Sequence, residues 1–392
     1  MARVFMKGCE AIAEAAVRAG CRFFAGYPIT PQNEIPEYFA RRMPEVGGKF
    51  VQGESEVASI SMVYGAAAAG TRSMTSSSSP GISLKSEGIS YCASARIPMV
   101  YCNVSRGGPG VGSIQPAQMD YFQATKASGN GGFRMLVFAP STVQEAVDMT
   151  YQAFDYADRD RNPVLILADG VIGTMMEPVV LPEMKSEEEV AAIKESKRKW
   201  ACVGHPLDYK NRAWIEPGQW STIVQQQKNE EAAALYESWE KDVRVEEYLT
   251  EDAQVVIAAY GISARIAKSA VDMLRKEGKK VGLIRPITVS PFPYKAFDRL
   301  NYANIKAVLD VEMSIPAQFV EDVKVGVKER SPIQTCLCSG GNIMKRSSRQ
   351  SIRFWRASKD GKDLFPYKDD PGGQGLRLLP RLYARHGYEA HR

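Results

Sequence analysis

Four short segments in the first third of the chain carry the side chains able to do chemistry. Thr30 lies in Gly26-Tyr27-Pro28-Ile29-Thr30-Pro31, where two prolines exclude a continuous helix and leave a structured loop. Glu54 and Glu56 flank Ser55, just ahead of a run of small residues. Four serines, Ser76 to Ser79, precede Pro80-Gly81. Arg106 follows the apolar run 98–104 and opens the glycine loop Gly107-Gly108-Pro109-Gly110-Val111-Gly112. A guanidinium in that position can grip a carboxylate through two parallel N–H bonds. Taken singly, each has a plainer role: Glu56 complements a helix dipole, Thr30 shapes a turn, and Arg106 is a surface cation.

Other chemistries are excluded. The glycine run lacks the GxGxxG spacing and a following helix with an acidic ribose anchor, and no GxxxxGK[ST] occurs, so neither a dinucleotide fingerprint nor a P-loop is present. The 3 histidines are His205, His386 and His391, none in the first 200 positions, which removes histidine triads and histidine metal sites from that region. Of 7 cysteines, only Cys336 and Cys338 lie close together, and no four-thiolate run for an iron–sulfur cluster exists. The odd, scattered thiols fit a reducing, cytoplasmic setting. The uncharged stretch 57–71 is too short and polar to span a bilayer.

The elements that must position these residues are legible in outline. At 392 residues, with 44% hydrophobic and 24% charged side chains, the chain implies two or three globular domains. Over residues 1–190, helices at 11–18, 32–41, 54–69 and 143–156 alternate with strands at 22–25, 49–52, 72–75, 98–104 and 163–168. Apolar strands alternating with helices predict an α/β fold with a parallel sheet covered on both faces. Ligands of such sheets bind beyond the carboxyl ends of the strands, where the loops at 27–30, 76–81 and 105–112 lie. Small residues Ala58, Ser61, Gly65, Ala68 and Ala69 predict close packing of the 54–69 helix on a neighbour. Residues 191–250 read as a connector holding an amphipathic helix at 229–248. Residues 251–338 form a second α/β unit, with strands at 254–260, 280–285 and 306–311 and helices at 262–276, 294–300 and 316–327. The net charge of +5 is concentrated in the tail, 339–392, where twelve Lys or Arg stand against five Asp or Glu. The body therefore offers no basic surface for nucleic acid.

Together the segments resemble a known family. The runs Gly26 to Pro31, Glu54-Ser55-Glu56, Thr75-Ser-Ser-Ser-Ser-Pro-Gly-Ile-Ser-Leu84, Asn103-Val-Ser-Arg106-Gly-Gly-Pro-Gly-Val-Gly-Ser113 and the continuation Ile-Gln-Pro-Ala-Gln-Met-Asp-Tyr-Phe-Gln-Ala-Thr125 are similar to the alpha subunit of 2-oxoacid:ferredoxin oxidoreductases. The pattern is nearest the 2-oxoisovalerate (branched-chain) and phenylglyoxylate subgroup, and it covers residues 5–330. The resemblance implies a thiamine-diphosphate pyrimidine-binding domain followed by a transketolase C-terminal-like domain. It implies thiamine diphosphate shared with a beta subunit that supplies the diphosphate and Mg²⁺ site. It also implies a gamma subunit, a ferredoxin-like subunit carrying [4Fe-4S] clusters, and coenzyme A as co-substrate. Arylglyoxylate members add subunits that pass electrons to NAD, so a flavin subunit belongs among the expected partners. Glu56 matches the glutamate that bonds the aminopyrimidine N1′, with Glu54 second for that role. Tyr27 and Pro28 fall in the cofactor loop, and Thr30 and Arg106 match the holders of the substrate carboxylate. Tyr27, Ile82, Ile114 and Met119 are wall residues by loop position.

The reaction implied is oxidative decarboxylation of a branched-chain or aromatic 2-oxoacid to its acyl-CoA. The alternatives are 2-oxoglutarate or pyruvate as substrate, a non-catalytic assembly subunit, and a decarboxylase without redox partners. A self-contained decarboxylase needs a GDG…N diphosphate motif; here Ala168-Asp169-Gly170 is followed by Val-Ile-Gly-Thr without the distant asparagine. The tail exceeds the branched-chain pattern. Its Phe354, Trp355, Phe365, Tyr367, Tyr383 and Tyr388 among basic residues predict a docking segment for an extra subunit.

Overall fold

Two parallel sheets grow from the apolar runs. The computed structural model describes residues 3–126, 128–204 and 213–339. The first sheet runs, edge to edge, Thr288–Ser290, Leu136–Phe138, Val164–Asp169, Val100–Gly107, Ser73–Ser77, Phe23–Gly26 and Lys49–Gln52. These strands are parallel except Thr288–Ser290, which lies antiparallel to Leu136–Phe138, and an eighth strand, Ser113–Pro116, pairs antiparallel with the end of Val100–Gly107. Successive residues of a strand point to opposite faces, so Ala25, Tyr101 and Leu165 enter one hydrophobic cluster while Phe24, Cys102 and Ile166 enter another. Helices cover both faces: Ile60 and Ile89 stand in the first cluster, Ile12 and Phe154 in the second. This is the covered α/β architecture expected of the sequence.

The second sheet runs Val245–Tyr248, Val281–Pro286, Val255–Ala258, Ala307–Glu312 and Ile333–Leu337, parallel except for its first strand. Polar contacts tie it to the first half. Gln118 Nε2 donates to the Tyr260 carbonyl at 2.9 Å, and Ser263 donates to Gln118 Oε1 at 2.6 Å. Tyr121 donates to Asp322 at 2.6 Å, and Arg285 Nη2 donates to Glu145 at 2.7 Å.

The structure departs from the sequence reading in four places. Residues 76–81 are not one loop: Ser73–Ser77 is strand and Ser79–Ser94 is a helix of 16 residues. Pro80 occupies its first turn, where a missing N–H costs nothing. The predicted 229–248 helix is displaced; the helix is Thr222–Ser238, and Val245–Tyr248 is an edge strand. Arg106 belongs to the strand Val100–Gly107 and is buried, not a loop residue on the surface. The small residues Ser61 and Gly65 of the Glu56–Ala68 helix are exposed, and the tight helix contact uses other glycines. A Cβ at Gly88 would come within 2.6 Å of Ile60, and one at Gly81 within 2.7 Å of Glu56 Oε1. The docking segment expected in the tail lies outside the described residues.

Candidate active site

The site is built where three strand ends meet. Beyond Gly26 the chain turns through Tyr27, Pro28 and Ile29 to a cis Thr30–Pro31 bond. Gln32, fully buried, holds that loop: its Nε2 donates to the Tyr27 carbonyl at 3.2 Å and its Oε1 accepts from Ser76 at the end of the next strand. Tyr27, Pro28 and Thr30 are exposed at the loop surface.

Glu56 is the first residue of its helix. Ser55 caps that helix, accepting from the Ala58 N–H at 3.1 Å. Glu56 is only 6% exposed, whereas Glu54 is exposed, so burial separates the two candidates. The Glu56 carboxylate lies across Gly81, whose Cβ would stand 2.0 Å from Ser77 Oγ and 2.7 Å from Glu56 Oε1. Only glycine lets the second helix pass this close. Among the described residues no donor reaches the Glu56 carboxylate, and the neighbouring Ser77 and Ser78 hydroxyls are buried and unpaired.

Arg106 binds two loops together. Its Nη1 donates to the Thr30 carbonyl at 2.8 Å and its Nη2 to the Val111 carbonyl at 3.0 Å, while Nε has no partner. The Arg106 N–H donates to Ser79 Oγ at 3.0 Å, and Ser79 lies 2.6 Å from Asp120 Oδ2. The same carboxylate oxygen accepts from Asn103 at 2.8 Å and Ser105 at 2.9 Å. Thr30 and Arg106 are thus in direct contact, and Glu56 is joined to them through the turn Ser77 to Gly81. Of the wall candidates, Ile82 is a core residue at 2% exposure, Ile114 is exposed, and Met119 is half-buried with its sulfur accepting from the Gly108 N–H.

The sequence reading missed Gln32, Asp120 and Lys85. Lys85 is fully buried on the Ser79–Ser94 helix, and its Nζ donates to the Glu56 carbonyl at 3.3 Å. Burial pulls its pKa down to about 7 against the upward pull of the Glu56 charge. The i to i+4 spacing from Gly81 to Lys85 was the available signal, and it is visible only once residues 79–94 are recognised as helix.

Residues 14–247 match the family model described as pyruvate flavodoxin/ferredoxin oxidoreductase, thiamine-diphosphate-binding. The chain belongs to that family. Residues 253–348 match a second model, pyruvate:ferredoxin oxidoreductase core domain II. Over 351 residues the chain is 45% identical to ketoisovalerate oxidoreductase subunit VorB of Methanothermobacter marburgensis, covering 88% of this chain and 95% of that one. It is 34% identical to 2-oxoglutarate synthase subunit KorA of Methanocaldococcus jannaschii over 357 residues, covering 84% and 93% of the two chains. A solved 2-oxoglutarate:ferredoxin oxidoreductase from Magnetococcus marinus, with 2-oxoglutarate, coenzyme A and succinyl-CoA bound, superposes with a TM-score of 0.74 at 25% identity. That match covers 91% of this chain and 65% of the longer one. A split-gene transketolase shares the fold, with a TM-score of 0.53 at 15% identity.

The chain is therefore an alpha-type 2-oxoacid oxidoreductase subunit near the 2-oxoisovalerate subgroup, with a thiamine-diphosphate-binding domain and a transketolase-C-like domain. The residues of this oxidoreductase subunit fit the pyrimidine end of that cofactor. A glutamate that is buried as a residue with its carboxylate free to accept, beside two unpaired hydroxyls, complements a ring edge that carries both N–H donors and nitrogen acceptors. Among the described residues, no helix is long and apolar enough to cross a membrane, and no cluster of His, Cys, Asp or Glu suits a metal ion.

Proposed function

We propose that this chain is the pyrimidine-side catalytic subunit of a heteromeric 2-oxoacid:acceptor oxidoreductase that converts a branched-chain or aromatic 2-oxoacid to its acyl-CoA. One observation carries the reading: the buried Glu56 carboxylate at a helix start, held open to a ligand across Gly81. When bound, thiamine diphosphate supplies the nucleophile and the electron sink that 2-oxoacid decarboxylation needs. Glu56 would pair with the ring N1′, accepting a hydrogen bond from it in its protonated form, and would so favour that form of the ring. Tyr27 and Pro28 line the approach from the exposed loop.

Arg106 has five N–H donors and gives two to backbone carbonyls, so its remaining face, with the unpaired Nε, is available to the substrate carboxylate beside Thr30. An anion leaving water needs such a fixed cation. The beta subunit holds the diphosphate and Mg²⁺, a ferredoxin-like subunit the [4Fe-4S] clusters, and a gamma subunit completes the complex in the cytoplasm; a flavin subunit joins where NAD is the acceptor. The chain divides at residues 190, 250 and 338 into pyrimidine-binding domain, connector, transketolase-C-like domain and tail. The relative at 45% identity is named for ketoisovalerate and the one at 34% for 2-oxoglutarate, which supports a branched-chain substrate over a dicarboxylic one.

The test is anaerobic purification of the complex, followed by coenzyme-A-dependent dye reduction with a panel of 2-oxoacids. Turnover is expected with 2-oxoisovalerate or phenylglyoxylate. Glu56→Gln is expected to cut turnover at least about 100-fold in an assembled complex. Near-normal turnover of that variant would leave a subunit without a catalytic Glu56, and the assembly role would take its place.

A further inference from the structure

Lys85 stands outside the roles assigned so far. It has no exposed surface, and among the described residues its Nζ makes one hydrogen bond, to the Glu56 carbonyl at 3.3 Å. An ammonium has three donors, so the charged form here is poorly satisfied by the protein. Its position follows from the helix contact. Gly81 and Gly88 let the Ser79–Ser94 helix press on Glu56 and Ile60, and Lys85 lies on that same face between them. The charge that acts on Lys85 is that of Glu56 on the facing helix, and burial opposes it, so the amine's pKa is pulled down to about 7.

We propose that Lys85 is a positioning residue for Glu56, fixing the first turn of the Glu56 helix and acting as the buried counter-charge that keeps the carboxylate able to accept from the cofactor ring. The inference rests on the cofactor role proposed for Glu56. With Lys85 protonated, the pair is neutral as a unit in a dry site. With Lys85 neutral, the Glu56 carboxylate faces the ring without a neighbouring cation.

The experiment uses the assembled complex with Lys85→Met and Lys85→Arg. For Met, the acid limb of the kcat profile is expected to move up by about one pH unit, because the carboxylate has lost its cation. For Arg, which holds its charge, the acid limb stays in place and the alkaline limb moves upward. A second readout is independent of turnover. Thiamine diphosphate with Mg²⁺ is titrated calorimetrically into the cofactor-free complex at pH 7, in two buffers of different ionisation enthalpy. The number of protons exchanged on binding is expected to differ between wild type and both variants, neither of which titrates there. If Lys85→Met lowers turnover without moving either limb, and exchanges as many protons as wild type, Lys85 is only a packing element. Should Lys85→Met fail to assemble, the arginine variant and the calorimetry decide alone. Glu56→Gln separates the two readings: full turnover there removes the Glu56 role itself. Lost turnover there, with an unmoved Lys85→Met profile, removes only the Lys85 inference.

Discussion

Arg106 Nη1 donates to the Thr30 carbonyl at 2.8 Å, so the side chain proposed to hold the substrate is anchored by the backbone of its proposed co-ligand. Lysine cannot reproduce this geometry. A point-charge ammonium on a flexible stem cannot bridge the Thr30 and Val111 carbonyls and still present a planar fork. Arg106→Lys is expected to lower kcat/KM for the 2-oxoacid by about 10- to 100-fold, mostly through KM. Steady-state dye reduction against 2-oxoacid concentration measures this, and an unchanged KM would take Arg106 out of the substrate site.

Gly81 and Gly65 are both helical, and their substitution by alanine should have opposite effects. At Gly81 a Cβ meets Ser77 Oγ at 2.0 Å, whereas at Gly65 nothing lies within 4 Å. Gly81→Ala is expected to cost about 1–3 kcal/mol and to weaken thiamine diphosphate binding. Gly65→Ala is expected to stabilise by about 0.4–1 kcal/mol, because alanine restricts the unfolded chain. Urea unfolding of the two variants side by side gives both signs in one experiment.

Asp322, on the helix Val320–Val327, ties the second half of the chain to the Tyr121–Thr125 helix of the first. It is buried and accepts from Tyr121 at 2.6 Å, from Lys126 at 2.7 Å and from Tyr294. Asp322→Ala orphans the buried Tyr121 hydroxyl and should cost about 2–4 kcal/mol. Tyr121→Phe, which leaves Asp322 its other partners, should cost about 1 kcal/mol. Equal losses in urea unfolding would mean that the aspartate acts through Tyr121 alone.

Asp169 should make stability fall with rising pH. Burial raises its pKa from 3.8 to about 6, although the Val171 and Ile172 N–H groups donate to it at 2.8 and 3.2 Å. A carboxyl harder to ionise in the folded state contributes most below its unfolded pKa, and that contribution is lost as pH rises through the folded value. Asp169→Asn keeps a capping oxygen without the charge. It should be more stable than wild type above pH 6, by on the order of 3 kcal/mol, with the difference shrinking as pH falls through pH 4 toward the unfolded pKa. Unfolding midpoints compared at pH 4 and pH 8 test the sign.

The parts of the fold legible in the sequence were those with strong periodicity. Lys49–Gln52 forms where expected, and the strands at Val100–Gly107 and Val164–Asp169 follow from their unbroken apolar runs. The Ser79–Ser94 helix was hidden because Pro80-Gly81 reads as a breaker when its place in the first turn is not known. Residues 245–248 were absorbed into a helix because a four-residue edge strand has too little pattern to compete with the charged helix before it. The family was legible because its motifs are spelled in rare neighbours, Pro-Ile-Thr-Pro and Arg-Gly-Gly-Pro-Gly. Lys85 was not, because its importance depends on which helix faces it rather than on the residues beside it.

The strand Thr288–Ser290 leaves the second half of the chain to complete the edge of the first sheet beside Leu136–Phe138. During synthesis its partner emerges long before it does. A nascent chain ending near residue 250 therefore presents an open, apolar strand edge, the kind of surface that recruits other strands. The late-made half is therefore expected to shield that edge of the early one. Producing residues 1–250 alone is expected to give aggregated protein, and supplying residues 251–392 as a separate chain during expression is expected to rescue it.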